Sequence, residues 1–179
     1  MGEDGVGHGT HLSRAAVPAR PVFVGAPCHT ADVANWREFE EQAPALAAAV
    51  RERLTAAETH VLATLRRDGS PRVSGSEVDL REPELYIGSM WGARKARDLQ
   101  RDGRFALHAF PSAEGDAKLS GVAIEITEKA VLDAIQGDMQ PSHLFRLDLQ
   151  QAVLTTVEGD KLVATTWWPG REVVRFERT

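Results

Sequence analysis

Apolar side chains return every three or four positions between Ala31 and Leu54, at Trp36, Phe39, Ala43, Leu46, Ala47, Val50 and Leu54. That spacing puts one stripe of a helix against a core. Pro44 stands inside the stripe and removes an N–H that a continuous helix needs, so the pattern predicts two helices. Thr55, with Glu58 three residues later, is expected to cap a short turn after them. The period then shortens to two. His60–Arg66 alternates, Asp68-Gly69-Ser70-Pro71 is a turn signal, and Arg72–Leu80 resumes as the second arm of a hairpin. Glu84–Ser89, Arg104–Phe110 and Lys118–Thr127 read as further strands, with a helix over Arg94–Arg101 and a short one from Glu128 to about Gly137. Leu144–Val157 and Lys161–Trp168 form a hairpin around Glu158-Gly159-Asp160, and Val173–Phe176 supplies a last strand. Six to eight strands in antiparallel neighbour order predict a mainly β fold with flanking helices. A barrel is the expected form, since closure removes exposed edges.

Residues 1–30 carry no sustained period and are rich in Gly, Ala, Pro and His. They are expected to form a flexible tail ahead of a single domain over 31–179. His8 and His11 have no third or fourth partner at ligand spacing, so no metal site is expected. The 179 residues suffice for a core that needs neither disulfide nor metal, and the one cysteine, Cys28, fits a reducing compartment. Hydrophobic residues at 42 % and charged residues at 26 % are typical of a globular protein. No apolar run is long enough to cross a bilayer, and the start at Met1 lacks the basic region and apolar core of a secretory signal. A cytoplasmic location is expected.

Charge changes the picture in one place. The net charge of −5 disfavours a general nucleic-acid surface, yet Arg94, Lys95, Arg97, Arg101 and Arg104 crowd one stretch with only Asp98 and Asp102 between them. Just before it, the strand Leu85–Ile87 runs through Gly88, Ser89, Met90, Trp91 and Gly92 into the helix that opens on Arg94-Lys95. Free backbone N–H groups and the positive end of a helix dipole favour an anion there. Arg adds a planar fork and Lys a mobile point charge. A phosphorylated cofactor is the expected ligand. Hydrolase and nucleotide-triphosphatase chemistry lacks support: Ser74-Gly75-Ser76 does not stand at a strand-to-helix elbow, and neither a Walker loop nor a zinc framework is present.

The segment Leu62–Gly75, followed by Leu85–Ser89 and Arg94–Leu107, resembles the pyridoxamine 5'-phosphate oxidase-like split-barrel family of flavin and deazaflavin proteins, over roughly residues 36–178. The resemblance implies a homodimer of six-stranded antiparallel split β-barrels with cofactor sites at the subunit interface. Ser89, Arg94 and Lys95 match the phosphate-binding positions, while Arg72, Val73 and Ser74 match the segment against the isoalloxazine ring. Thr64 on the neighbouring strand is expected to bond the ring's edge. Arg72 would stabilise the reduced ring's negative charge. Lys118 is a candidate to reach the interface site. Of the consecutive pair Trp167 and Trp168, one is expected in the core and the other, Trp168, against the cofactor. Trp91 is expected to line the ribityl side or anchor its helix. No catalytic acid or base is assigned. The ending Trp167–Phe176 does not repeat the arginine-rich carboxy-terminal pattern of true pyridoxamine phosphate oxidases, so that substrate is not assumed.

The implied activity is an FMN-dependent oxidoreductase that passes hydride through the flavin to or from a small molecule. Two alternatives stay open. The deazaflavin coenzyme F-420 would place its anionic tail on the face of Arg97, Arg101 and Arg104. A non-catalytic flavin or haem binder would, for haem, need an axial ligand, for which His60 and His108 are the first to examine. Neither nucleic acid nor membrane is expected as a partner.

Overall fold

A computed structural model of the chain describes residues 32–113, 115–137 and 142–178; the expected tail, with His8, His11 and Cys28, lies outside them. Pro44 divides the amino-terminal stripe as expected, into α1 (Trp36–Gln42) and α2 (Pro44–Thr55), with Pro44 in the first turn where its missing N–H costs nothing. Thr55 does not cap a following turn. It closes α2 instead, and its hydroxyl donates back to the carbonyls of Arg51 at 3.0 Å and Glu52 at 3.2 Å. The capping box sits at the start of α1, where Asn35 and Glu38 each accept from the other's backbone N–H.

Nine strands follow among the described residues: β1 (His60–Leu65), β2 (Pro71–Ser76), β3 (Val78–Arg81), β4 (Glu84–Ser89), β5 (Arg104–His108), β6 (Asp116–Glu125), β7 (His143–Glu158), β8 (Lys161–Trp167) and β9 (Val174–Arg178). Two further helices are α3 (Arg94–Arg101) and α4 (Lys129–Gln136). The sheet is antiparallel throughout, in the order β2-β1-β5-β6-β7-β4-β3, and β8 and β9 extend from β7. The expected single strand over Arg72–Leu80 is broken at Glu77. Its first half pairs with β1 and its second with β4, so the two end strands of the sheet are successive pieces of one bent segment. That joint is covalent, with no ladder across it; the barrel is split there. Counted as one bent strand, β2 and β3 with β1, β4, β5, β6 and β7 make the six strands of a split barrel.

The sixteen-residue β7 changes partner along its length. His143–Arg146 pairs with β4 and Ala152–Glu158 with β8. Between them Leu149 exchanges both backbone hydrogen bonds with Ala34, just ahead of α1, which fills the gap in the ladder. Opposite, β6 carries a register shift between Ser120 and Gly121, and a Cβ on Gly121 would lie 1.9 Å from the Asp148 carbonyl oxygen. Only glycine allows that approach.

The apolar stripe of α1 and α2 closes over the inward side chains of the sheet, including Leu62, Leu85, Ile87, Leu119, Phe145 and Leu147. Phe39 is held between two tryptophans, edge-on to Trp36 at 5.4 Å and tilted on Trp167 at 4.5 Å. Trp167 is therefore the core member of the tryptophan pair. α3 packs against β1 and β6 through Ala96 and Leu99, which fixes where its amino terminus points. Among the described residues no helix is long and apolar enough to cross a membrane.

Candidate functional site

β4 ends at Ser89, and the turn Met90–Ala93, closed by a hydrogen bond from the Ala93 N–H to the Met90 carbonyl at 3.1 Å, delivers the chain into α3. Gly92 takes φ +77° in that turn, a left-handed value that a side chain would strain. The cap residue Ala93 has no side chain able to bond the helix start. The N–H groups of Arg94, Lys95 and Ala96 therefore have no acceptor inside the helix. Beside this start, Ser89 is 5 % exposed and its hydroxyl has no hydrogen-bond partner among the described residues. A buried hydroxyl left alone is costly unless a ligand completes it. Ser89, Ala93 and Lys95 line a cleft of about 790 Å³ with Gly75, Ser76 and Glu77 of the β2–β3 bend.

Two of the expected phosphate ligands differ in kind. Arg94 is exposed and makes no hydrogen bond or ion pair among the described residues. Lys95 lies against β2, donating to the Gly75 carbonyl at 2.8 Å and the Ser76 hydroxyl at 3.2 Å. Burial pushes its pKa below the ordinary lysine value, with Glu77 opposing the shift. Two of its three donors are thus used, and one is left for an anion.

The segment assigned to the ring alternates. Arg72 and Ser74 pair across from Thr64 and Leu62 on the face toward α3. Val73 points to the opposite face and is 70 % exposed. Thr64 is buried, and its hydroxyl donates to Asp98 at 3.0 Å; that proton is committed to the protein and not to a ring edge. Asp98, one of two acids among the cations of this stretch, is the centre of a network. It is 4 % exposed and takes the Arg72 Nε–H at 2.6 Å and a longer contact from Arg101 at 3.4 Å. Arg101 also donates to the Leu65 carbonyl. Burial works to raise the Asp98 pKa, but the hydrogen bonds from Arg72 and Thr64 and the Arg72 charge outweigh it and hold the carboxyl below its usual range. The only sequence signal for this was an acid at one helical turn from Lys95, which marks a shared face but not burial.

The cationic face expected to grip a deazaflavin tail is mostly spoken for. Arg101 belongs to Asp98, and Arg104 is paired with Asp102 through two hydrogen bonds of 2.9 and 2.6 Å. Arg97 alone of the three makes no ion pair among the described residues.

Lys118 lies on β6, between β5 and β7. It pairs with Asp116 at 2.6 Å and Thr155 at 3.3 Å on the outer face of the sheet. Trp168 follows β8 and, like Arg72, Ser74 and Arg94, does not line the cleft. Trp91 is 64 % exposed, with its ring edge-on to His143 at 4.2 Å. The two histidines considered for haem differ in setting. His60 is buried, and desolvation lowers its pKa, partly offset by the Leu54 carbonyl. His108 Nδ1 sits 2.7 Å from the Ala109 carbonyl. His143, which no sequence motif marks, has its Nδ1 2.7 Å from Glu125, a carboxylate that Gln100 also binds at both oxygens.

The sequence model described as Pyridoxamine 5'-phosphate oxidase matches residues 46–159. No curated protein matches the sequence. Among solved structures, a pyridoxamine 5'-phosphate oxidase-related, FMN-binding protein from Nostoc punctiforme is similar at TM-score 0.57 and 14 % identity, over 76 % of this chain and 96 % of that one. Campylobacter jejuni ChuZ is similar at TM-score 0.59 and 13 % identity, over 73 % of this chain and 62 % of that one. A heme binding protein from Mycobacterium smegmatis is similar at TM-score 0.50 and 23 % identity, over 68 % and 58 %. At these identities the likeness is one of fold.

Proposed function

The chain belongs to the pyridoxamine 5'-phosphate oxidase family, and on that premise we propose that it is an FMN-dependent oxidoreductase acting on a small molecule. The observation that carries the reading is the unpartnered, buried Ser89 hydroxyl beside the uncapped start of α3, in the cleft that Lys95 lines. Such a set of donors suits a phosphate monoester. Ser89, Arg94, Lys95 and the first N–H groups of α3 would hold the phosphate, and the α3-facing side of β2, with Arg72 and Ser74, would run along the rest of the cofactor. FMN, when bound, supplies hydride and electron transfer that no side chain offers. The protein's own part is to orient the cofactor, present positive charge to it and exclude water.

FMN is favoured over a deazaflavin coenzyme because Arg104 is paired with Asp102 and Arg101 is turned to Asp98 and the Leu65 carbonyl, which leaves little of a groove for a polyanionic tail. A homodimer belongs to the same proposal. One row of positions on the face away from α3 runs across seven strands, from Gly75 through Val61, His108, Lys118, Val153 and the buried Thr166 to Val174. Val73 and Phe176 share that face and are exposed, which suits cover by a second copy.

Titration with FMN and with riboflavin tests the phosphate assignment. In Arg94→Ala/Lys95→Ala, FMN affinity is expected to fall by about 1.5–3 kcal/mol for each ionic hydrogen bond lost, with riboflavin affinity unchanged. Unchanged FMN affinity would remove both residues from the site.

A further inference from the structure

We propose that Asp98 is a positioning residue: by taking the Nε–H of Arg72 it aims the remaining guanidinium donors of Arg72 at an anionic or electron-rich part of the bound cofactor. The inference rests on the flavin reading above but concerns a residue which that reading does not use.

The geometry has three parts. Lys95 and Asp98 are one helical turn apart, so both face β2 from α3. Lys95 reaches Gly75 and Ser76, while Asp98 reaches Arg72 four residues earlier. Ser76 and Arg72 lie on one face of β2, since both pair with inward residues of β1, His60 and Thr64. Arg72 therefore sits two same-face positions along β2 from Ser76, which lines the cleft with Lys95.

Arg72 is then bound in an unusual way. An arginine whose task is to neutralise a carboxylate commonly engages it side-on with two parallel bonds, as Arg146 does with Asp148 at 2.7 and 3.0 Å. Arg72 gives Asp98 only Nε–H, at 2.6 Å. Neither of its Nη groups has a hydrogen-bond partner among the described residues, although its side chain is largely covered.

Asp98 is itself held from the other side. Thr64 donates to the oxygen that Arg72 uses, and Arg101 approaches the second oxygen. The carboxylate has no freedom to follow Arg72, so Arg72 must follow it. With Arg72, Asp98 and Arg101 charged, the network keeps one net positive charge, which suits a ligand that gains negative charge.

A structural clamp would give the same contacts, so the test must separate clamp from aim. Apo-protein labelled for arginine side-chain NMR is expected to show a slowly exchanging Arg72 Nε–H that Asp98→Asn makes fast; a fast-exchanging signal in the wild type would overturn the proposal without reference to any cofactor. FMN titration of Asp98→Asn, Arg72→Gln and the double variant then forms a cycle. About a tenfold or greater loss for Asp98→Asn, with the double variant no weaker than Arg72→Gln alone, is the expected result. Additive losses, or an Asp98→Asn protein that binds FMN as the wild type does, would overturn it. If the wild type binds no FMN, the flavin reading fails while the NMR result still decides whether Asp98 fixes Arg72.

Discussion

Glu84 shows how a single buried group can tie stability to pH. One of its carboxylate oxygens is buried without a hydrogen-bond partner, and its nearest cation, Arg146, lies 3.9 Å away and is already bound through two hydrogen bonds to Asp148. Burial raises the Glu84 pKa, Arg146 opposes the shift, and the Asp148 charge adds to it. An acid whose folded pKa is raised weakens the fold as pH climbs through its unfolded value, and the penalty is complete above the folded one. Glu84→Gln should therefore melt above the wild type at pH 7, with the difference closing toward pH 4. Equal melting temperatures at both pH values would show that Glu84 carries no penalty. Asp98 has the opposite sign: its pKa is depressed, so its contribution is present at neutral pH and lost in acid.

Among the elements, the sheet's outer face carries the clearest consequence. β9 is exposed along its whole length, and Phe176 on it pairs with Ala164, on the face shared with Val61 and Val73. A second copy seated there would bury Phe176 and meet Lys118 and Asp116 as its polar neighbours. Sedimentation equilibrium is expected to give a dimer for the wild type and a dissociation constant at least about tenfold weaker for Phe176→Glu. A monomeric wild type would sink the homodimer reading. The exposed position of Phe176 lets the variant keep its fold.

At the scale of the molecule, the sequence reveals what local patterns encode. Periodicity marked both amino-terminal helices, the break at Pro44 and nearly every strand, because one buried face imposes a fixed spacing. It could not mark the bend at Glu77, since Arg72–Leu80 alternates on both sides of the joint and only the choice of partner strand changes. For the same reason Thr55 looked like a cap: its spacing to Glu58 fits, but α2 needs its last turn. The small-residue turn and the Arg94-Lys95 pair were legible as a helix start. The network around Asp98 was not, because it joins Asp98 and Arg101 on α3 to Thr64 and Arg72 on a hairpin 26 or more residues earlier. His143 and Glu125 were hidden in the same way.

What the cleft at Ser89, Ala93 and Lys95 holds decides the function. Parallel titration of the purified apo-protein with FMN and with coenzyme F-420, followed by fluorescence, tests it most directly. FMN bound more tightly than the deazaflavin, with saturation near one per chain, is the predicted result. Preference for the deazaflavin, or no binding of either, would contradict it.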